Sequence, residues 1–141
     1  MPCIFCRIVA HESPASVLYE DEMVLAFMNI RPSSPGEFLV IPKEHIDHFS
    51  DIPDGLACHL LVQAQRLSRN LRERLRPERV GLVVHGYGVP HAHLVVVPQN
   101  GPDDITSARF AFIEDGQIKF GVSHLTDAPR EELDGLARLL S

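Results

Sequence analysis

Two histidines two residues apart, His91 and His93 in "VPHAHLVVVP", stand at the head of a β-branched run. Strand alternation there would turn both imidazoles to one face of a sheet. A neutral imidazole whose Nδ1 proton is held by a carbonyl offers a free Nε2 lone pair, able to attack an electrophile such as phosphorus near pH 7. The simpler role for such a residue is that of a core histidine with both nitrogens satisfied by backbone. The flanking "GYGVPHAH" favours a ligand, since Gly86 and Gly88 let one come close to the backbone. The third position on that face is Val95, which can neither donate a proton nor stabilise developing charge.

Cys3 and Cys6 form a second constellation. Cys-x-x-Cys spacing lets two thiolates reach one tetrahedral metal, about 2.3 Å from each sulfur. Two further ligands are then needed, and His45, just past a predicted strand, and His91 could meet the N-terminal turn at one sheet edge. Buried, inert thiols are the alternative. A redox pair is disfavoured, because that motif wants a strand before it and only two residues precede Cys3.

The elements that must position these groups follow from periodicity. Residues 3 to 10 predict a short helical turn; "SVLYEDE" and "MVLAFMNI" predict two strands about the acidic turn Glu20-Asp21-Glu22; "EFLVIP" predicts a third, closed by Pro42. Between Asp54 and Arg76, Leu56, Leu60, Ala64, Leu67, Leu71 and Leu75 recur at steps of three and four, the mark of a long amphipathic helix. "RVGLVVHG" and "HAHLVVVP" predict two more strands joined at Gly86-Tyr87-Gly88, with His91 beginning the last core strand. "FAFIEDGQIKF" predicts a hairpin about Asp115-Gly116, and a terminal helix has Pro129 in its first turn and Leu133, Leu136 and Leu140 on one face. Strands joined by short turns around one long helix imply an α+β antiparallel sheet with helices packed against it.

Composition sets outer limits. A chain of 141 residues, 45% hydrophobic, suits one domain with a sizeable core, here residues 1–141. The net charge of −6 and the absence of any basic run argue against an extended nucleic acid partner. No apolar stretch approaches the roughly 20 residues of a membrane span. "MPCIFCRIVA" is unlike a signal peptide, which with three cysteines points to a cytoplasmic protein.

"CIFCRIV", "VLYEDEMVLAFMNIRPSSPGEFLVIPKEHI" and "GVPHAHLVVVP" together resemble, in order and spacing, the signature segments of the histidine triad (HIT) family of nucleotide hydrolases and transferases. The resemblance covers residues 3–100; the extension 101–141 matches it less well. It implies a five-stranded antiparallel sheet with one long and one short helix, dimerising into a continuous larger sheet, and a purine nucleotide site at the last core strand. His91 and His93 match the first two triad histidines, with His93 the nucleophile that takes the nucleotidyl group. Cys3, Cys6, His45 and His91 match the ligands of the structural zinc ion that many bacterial members carry. Ile4, Phe5, Ile8, Phe27 and Ile30 match residues lining the base pocket. Asn29 stands where an aspartate commonly bonds the ribose hydroxyls, and His85, Gly88 and Val89 complete the nucleotide site. Two departures stand out: Val95 replaces the third triad histidine, and the "HGYG" connection is short, with His85 where the family usually has asparagine.

Two functional classes follow. In one the chain is a zinc-stabilised, homodimeric hydrolase or nucleotidyltransferase acting on a purine nucleoside phosphoramidate, mixed anhydride or dinucleoside polyphosphate. In the other it is a catalytically weak, zinc-stabilised nucleotide-binding protein that acts through a partner. A purely metal-binding role is disfavoured, because His93 has no place in a ligand set that is already full.

Overall fold

The structure, a computed structural model, describes residues 3–105 and 110–141. In chain order it contains a six-residue helix α1 (Ile4–Val9) and strands β1 (Val17–Glu20), β2 (Val24–Met28) and β3 (Phe38–Pro42). One turn of 3-10 helix (Phe49–Asp51) leads into the long helix α2 (Asp54–Leu75), followed by strands β4 (Arg79–Val84) and β5 (Leu94–Gln99). The hairpin strands β6 (Ala111–Glu114) and β7 (Gln117–Phe120) and the helix α3 (Arg130–Leu140) complete it. The main sheet runs β1-β2-β3-β5-β4 with every neighbouring pair antiparallel. The α+β fold with a five-stranded antiparallel sheet, a long helix and a short one is thus present, and among the described residues the expected terminal helix α3 joins them.

Every residue of β2 and β3 is buried, so both faces of the sheet centre are covered. On one face Val24, Ala26, Met28, Phe38, Val40 and Val96 meet the predicted stripe of α2, with Leu133, Ala137 and Leu140 of α3 closing the same cluster. On the other, Leu25, Phe27, Leu39 and Ile41 meet Phe5 and Ile8 of α1. α2 ends where Arg76 turns left-handed (φ 52°) and returns its N–H to Arg72, after which Pro77 cannot continue the helix. Its last turn sits so close to the β2–β3 connection that a Cβ on Gly36 would lie 2.5 Å from Leu75 Cδ1. Gly36 also holds φ +102°, so position 36 admits only glycine without strain.

Polar contacts fix the outer elements. Asp21 in the β1–β2 turn accepts from Tyr19 Oη (2.7 Å), from the backbone N–H of Met23 and Val24 (2.8 Å each), and pairs with His59 Nε2 of α2 (2.6 Å). Burial alone would raise the Asp21 pKa, but these bonds outweigh it and hold the carboxyl well below the usual range. α3 is pinned through Ser16, whose Oγ donates to Asp134 (2.6 Å) and accepts from Arg130 (3.0 Å), and through Asn70, which caps the Leu140 carbonyl at 2.9 Å. The hairpin turn is as expected: Asp115 (φ 53°) and Gly116 (φ 72°) are both left-handed, the two-residue geometry that matches strand twist. No described helix is long and apolar enough to cross a membrane.

One expectation needs correction. His91 does not begin the last core strand; regular pairing starts at Leu94, and His91 and His93 lie in the approach to β5. Pro90 lacks an N–H, and Ala92 uses its own to reach the Ile46 carbonyl (2.7 Å) rather than a strand partner, so the β-branched run alone makes the ladder.

Candidate functional site

The approach to β5 lies beside the end of β3 and the N-terminus of α1, and four side chains converge there. Cys3 and Cys6, three apart in a helical turn, lie on one face of α1 with their sulfurs 3.2 Å apart. His45 Nδ1 is 3.6 Å from Cys3 Sγ and 3.2 Å from Cys6 Sγ; His91 Nδ1 is 3.5 and 3.6 Å from the same two atoms. The four donor atoms all lie within 4.8 Å of one another. A tetrahedral zinc ion with sulfur and nitrogen ligands has edges of about 3.3–3.8 Å, so the arrangement fits such an ion with little movement.

The chemistry of the donors fits equally well. His91 is fully buried, and its Nε2 donates to the Pro42 carbonyl at 2.7 Å, which leaves the Nδ1 lone pair aimed at the sulfurs. Burial pushes the His91 pKa down, favouring the neutral form a ligand must have. Burial and the neighbouring Cys3 sulfur push the Cys6 thiol up. Two adjacent thiolates are therefore unfavourable here without a cation between them.

His93 is set differently. Its Nδ1 donates to the His91 carbonyl at 2.7 Å, fixing the tautomer and leaving Nε2 as the ring's basic atom. The ring stands edge-on to Phe5, centroids 5.4 Å apart. It opens on a cleft of about 180 Å³ whose walls include Val89, His85, His48 and Phe49. Gly88 holds φ +98° in the connection that forms one wall, and His85 Nδ1 there accepts from the Tyr87 N–H at 3.2 Å.

The remaining sequence-derived candidates divide. Phe5, Ile8 and Phe27 are buried together, with Val89 and Val95 packed against them, so Val95 shares the face on which Phe5 meets His93. Ile4 and Ile30 are exposed. Asn29 and Ile30 follow the far end of β2, where Asn29 Oδ1 accepts from the Arg31 N–H (3.0 Å) and Nδ2 donates to Glu37. Sequence reasoning did not find Glu37, nor the cleft wall of Asp47, His48, Phe49 and Ser50. The one available signal was position, since the wall directly follows the candidate ligand His45.

With that geometry in place, the similarities to known proteins become specific. The HIT domain model matches residues 10–101. A HIT-like protein of Methanocaldococcus jannaschii is 37% identical over 102 residues, 69% of this chain and 78% of that protein. An adenosine 5'-monophosphoramidase of Schizosaccharomyces pombe is 32% identical over 105 residues (70% and 75%). An adenylylsulfatase of Arabidopsis thaliana is 27% identical over 144 residues (93% and 73%). Among solved structures, a zinc-bound histidine triad protein of Mycobacterium smegmatis superposes with TM-score 0.73 at 30% identity, covering 99% of this chain and 91% of that one. Order of motifs, topology and these similarities agree, and the chain belongs to the HIT domain family.

Proposed function

We propose that the protein is a nucleotide hydrolase or nucleotidyltransferase acting through a covalent nucleotidyl-histidine on His93. The observation that carries this reading is the bond from His93 Nδ1 to the His91 carbonyl, which leaves Nε2 basic at the mouth of a cleft. In the first step the Nε2 lone pair bonds to the α-phosphorus while the bond to the leaving group breaks and its electron pair departs with that group. In the second, water attacks phosphorus, the P–N bond breaks with its electrons returning to Nε2, and the water proton passes to solvent. His91 contributes the carbonyl that fixes the tautomer.

The base would lie against the α1 face, with Ile4, Phe5, Ile8, Phe27 and Ile30 as its apolar surroundings. Asn29 would hold the ribose hydroxyls, and His85, Gly88 and Val89 the phosphate side. Val95, in place of the third triad histidine, supplies no proton, so the reading favours a leaving group that departs readily as an anion. An adenylylsulfatase among the relatives is in keeping with a mixed anhydride, and the monophosphoramidase with an adenylyl group on the transferred side. Cys3, Cys6, His45 and His91 would hold zinc, which when bound neutralises the thiolates and ties α1 to the approach of β5. A second copy would pair at β4, which among the described residues is an edge strand bonded only to β5 and where Leu82 and Val84 are exposed. The reduced thiols suit a cytoplasmic setting.

The test is incubation with an adenosine phosphoramidate, an acyl adenylate and a dinucleoside polyphosphate, each labelled at the α-phosphorus, followed by detection of acid-labile phosphohistidine. The expected result is a labelled protein with at least one of them. Tight nucleotide binding with neither adduct nor turnover would overturn the enzymatic reading in favour of a binding protein.

A further inference from the structure

Glu37 is a carboxyl residue only 3% exposed, at the bend that leads into β3, and the catalytic reading makes no use of it. Its bonds to Ser33 and Asn29 run one way. Oε1 accepts from the Ser33 hydroxyl (2.7 Å) and the Ser33 N–H (3.3 Å), and Oε2 accepts from Asn29 Nδ2. Each of these contacts brings a donor to Glu37, the pattern an ionised carboxylate satisfies. The Asn29 amide could in principle be turned either way, but the Arg31 N–H at 3.0 Å from Oδ1 permits one orientation. The NH2 group must face Glu37. The backbone repeats the link, because the Asn29 N–H donates to the Glu37 carbonyl at 3.0 Å.

An asparagine amide carries two N–H donors and two oxygen lone pairs. Glu37 takes one donor and Arg31 one lone pair, which leaves one N–H and one lone pair on the half-buried Asn29 side chain. That remainder suits a vicinal diol, one hydroxyl donating to Oδ1 and the other accepting from Nδ2. A carboxylate at position 29 would instead sit in hydrogen-bond contact with the Glu37 carboxylate, an arrangement stable only if the two share a proton.

We propose that Glu37 is a positioning residue that sets the Asn29 amide as a one-donor, one-acceptor reader of a ribose diol, so that preference for ribonucleotides over 2'-deoxyribonucleotides depends on the Asn29–Glu37 pair. This rests on the nucleotide reading given above. In E37Q the two Ser33 donors hold the oxygen of the new amide, so its NH2 group turns toward the Asn29 NH2 and the orientation of Asn29 is lost. In N29D/E37Q the donors of Ser33 and of the new amide again meet acceptors along the Ser33–37–29 path. The introduced amide accepts from Ser33 and donates to the introduced carboxylate, which still accepts from Arg31 and offers lone pairs to both hydroxyls.

The experiment measures binding of adenosine monophosphate and its 2'-deoxy analogue by calorimetry to wild type, N29D, E37Q and N29D/E37Q. Wild type should favour the ribonucleotide by about tenfold, the scale of one or two hydrogen bonds. N29D and E37Q should bring that ratio to within about twofold, mainly by weakening the ribonucleotide, and the paired variant should restore most of it. If E37Q or N29D does not fold, the paired variant decides alone: a folded protein with the ratio regained supports the pair, and one without it overturns the proposal. A ratio unmoved in E37Q, or a wild type that binds both nucleotides equally, overturns the role of Glu37 while leaving the nucleotide reading intact. Binding of neither by wild type overturns both.

Discussion

On one face of the sheet a 22-residue helix meets the strands through Leu60, Leu67 and Leu71, none more than 1% exposed; on the other a six-residue helix brings only Phe5 and Ile8 as buried side chains. Helices shorter than about 12 residues do not persist on propensity, and two apolar anchors offer little burial to compensate. What distinguishes α1 is the pair of sulfurs on its outer turn, facing His45 and His91 from separate segments. The α2 face is held mainly by apolar contact, with the His59–Asp21 and Asn70–Leu140 bonds at its margins, whereas the α1 face carries the cluster of Cys3, Cys6, His45 and His91, where a bound metal would link its first turn to the approach to β5. The candidate chemistry of His93 lies on this second, less self-sufficient face, in edge-on contact with Phe5.

The largest effect should come from H93A, which removes the proposed nucleophile and, beyond its edge-on contact with Phe5, leaves both anchoring systems in place. Turnover should fall by about three orders of magnitude or more while nucleotide affinity stays within a few fold, measured by steady-state kinetics beside calorimetry. Retained turnover would show that the chemistry lies elsewhere.

Next is L67A on the apolar face, expected to cost about 2–5 kcal/mol in denaturant unfolding with bound metal unchanged. C6S is its counterpart. Metal analysis should fall from about one equivalent per chain to far below it, and amide exchange should quicken across α1 while α2 stays protected. Equal exchange across α1 in wild type and C6S would erase the contrast between the faces.

The smallest effect concerns Asp21, whose bonds to Tyr19 and His59 join the β1–β2 turn to α2. Its folded pKa lies below the unfolded one, so the folded state holds fewer protons between the two values. That stabilisation is complete above about pH 4, the ordinary aspartate range, and is lost as pH falls through the folded value. D21N should therefore lower the melting temperature slightly at pH 7 and flatten its decline below pH 4. A parallel acid limb in wild type and variant would show that Asp21 does not contribute in this way.

Local pattern made the α2 face legible: the spacing from Leu56 to Leu71 fixed both the helix and its buried stripe, and Asp115-Gly116 fixed the hairpin turn. The convergence of Cys3, Cys6, His45 and His91 was legible through motif resemblance and Cys-x-x-Cys spacing. The start of β5 was misjudged, because strand propensity at His91 and Ala92 loses to the long-range bond from Ala92 to Ile46. For the same reason the cleft wall from Asp47 to Ser50 left no periodic trace, being placed by that bond rather than by its own side chains. In the sequence Glu37 is simply the first residue of the predicted strand "EFLVIP". Its burial depends on Asn29 and Ser33 arriving with donors, which a pattern of apolar residues does not encode.

The docking of α3 has a consequence for how the protein is made. Ser16, just ahead of β1, bonds to Asp134 and Arg130, 118 and 114 residues away, and Leu133, Ala137 and Leu140 close the cluster begun by Leu18 and Val24. A chain emerging from the ribosome would thus expose the early strands' apolar side chains until the final helix followed. Contacts of such sequence separation slow folding and lengthen the interval in which strand edges are unprotected. Synthesis halted before α3 should yield a product that depends on chaperones, even though the candidate site residues, from Cys3 to Val95, have all been translated.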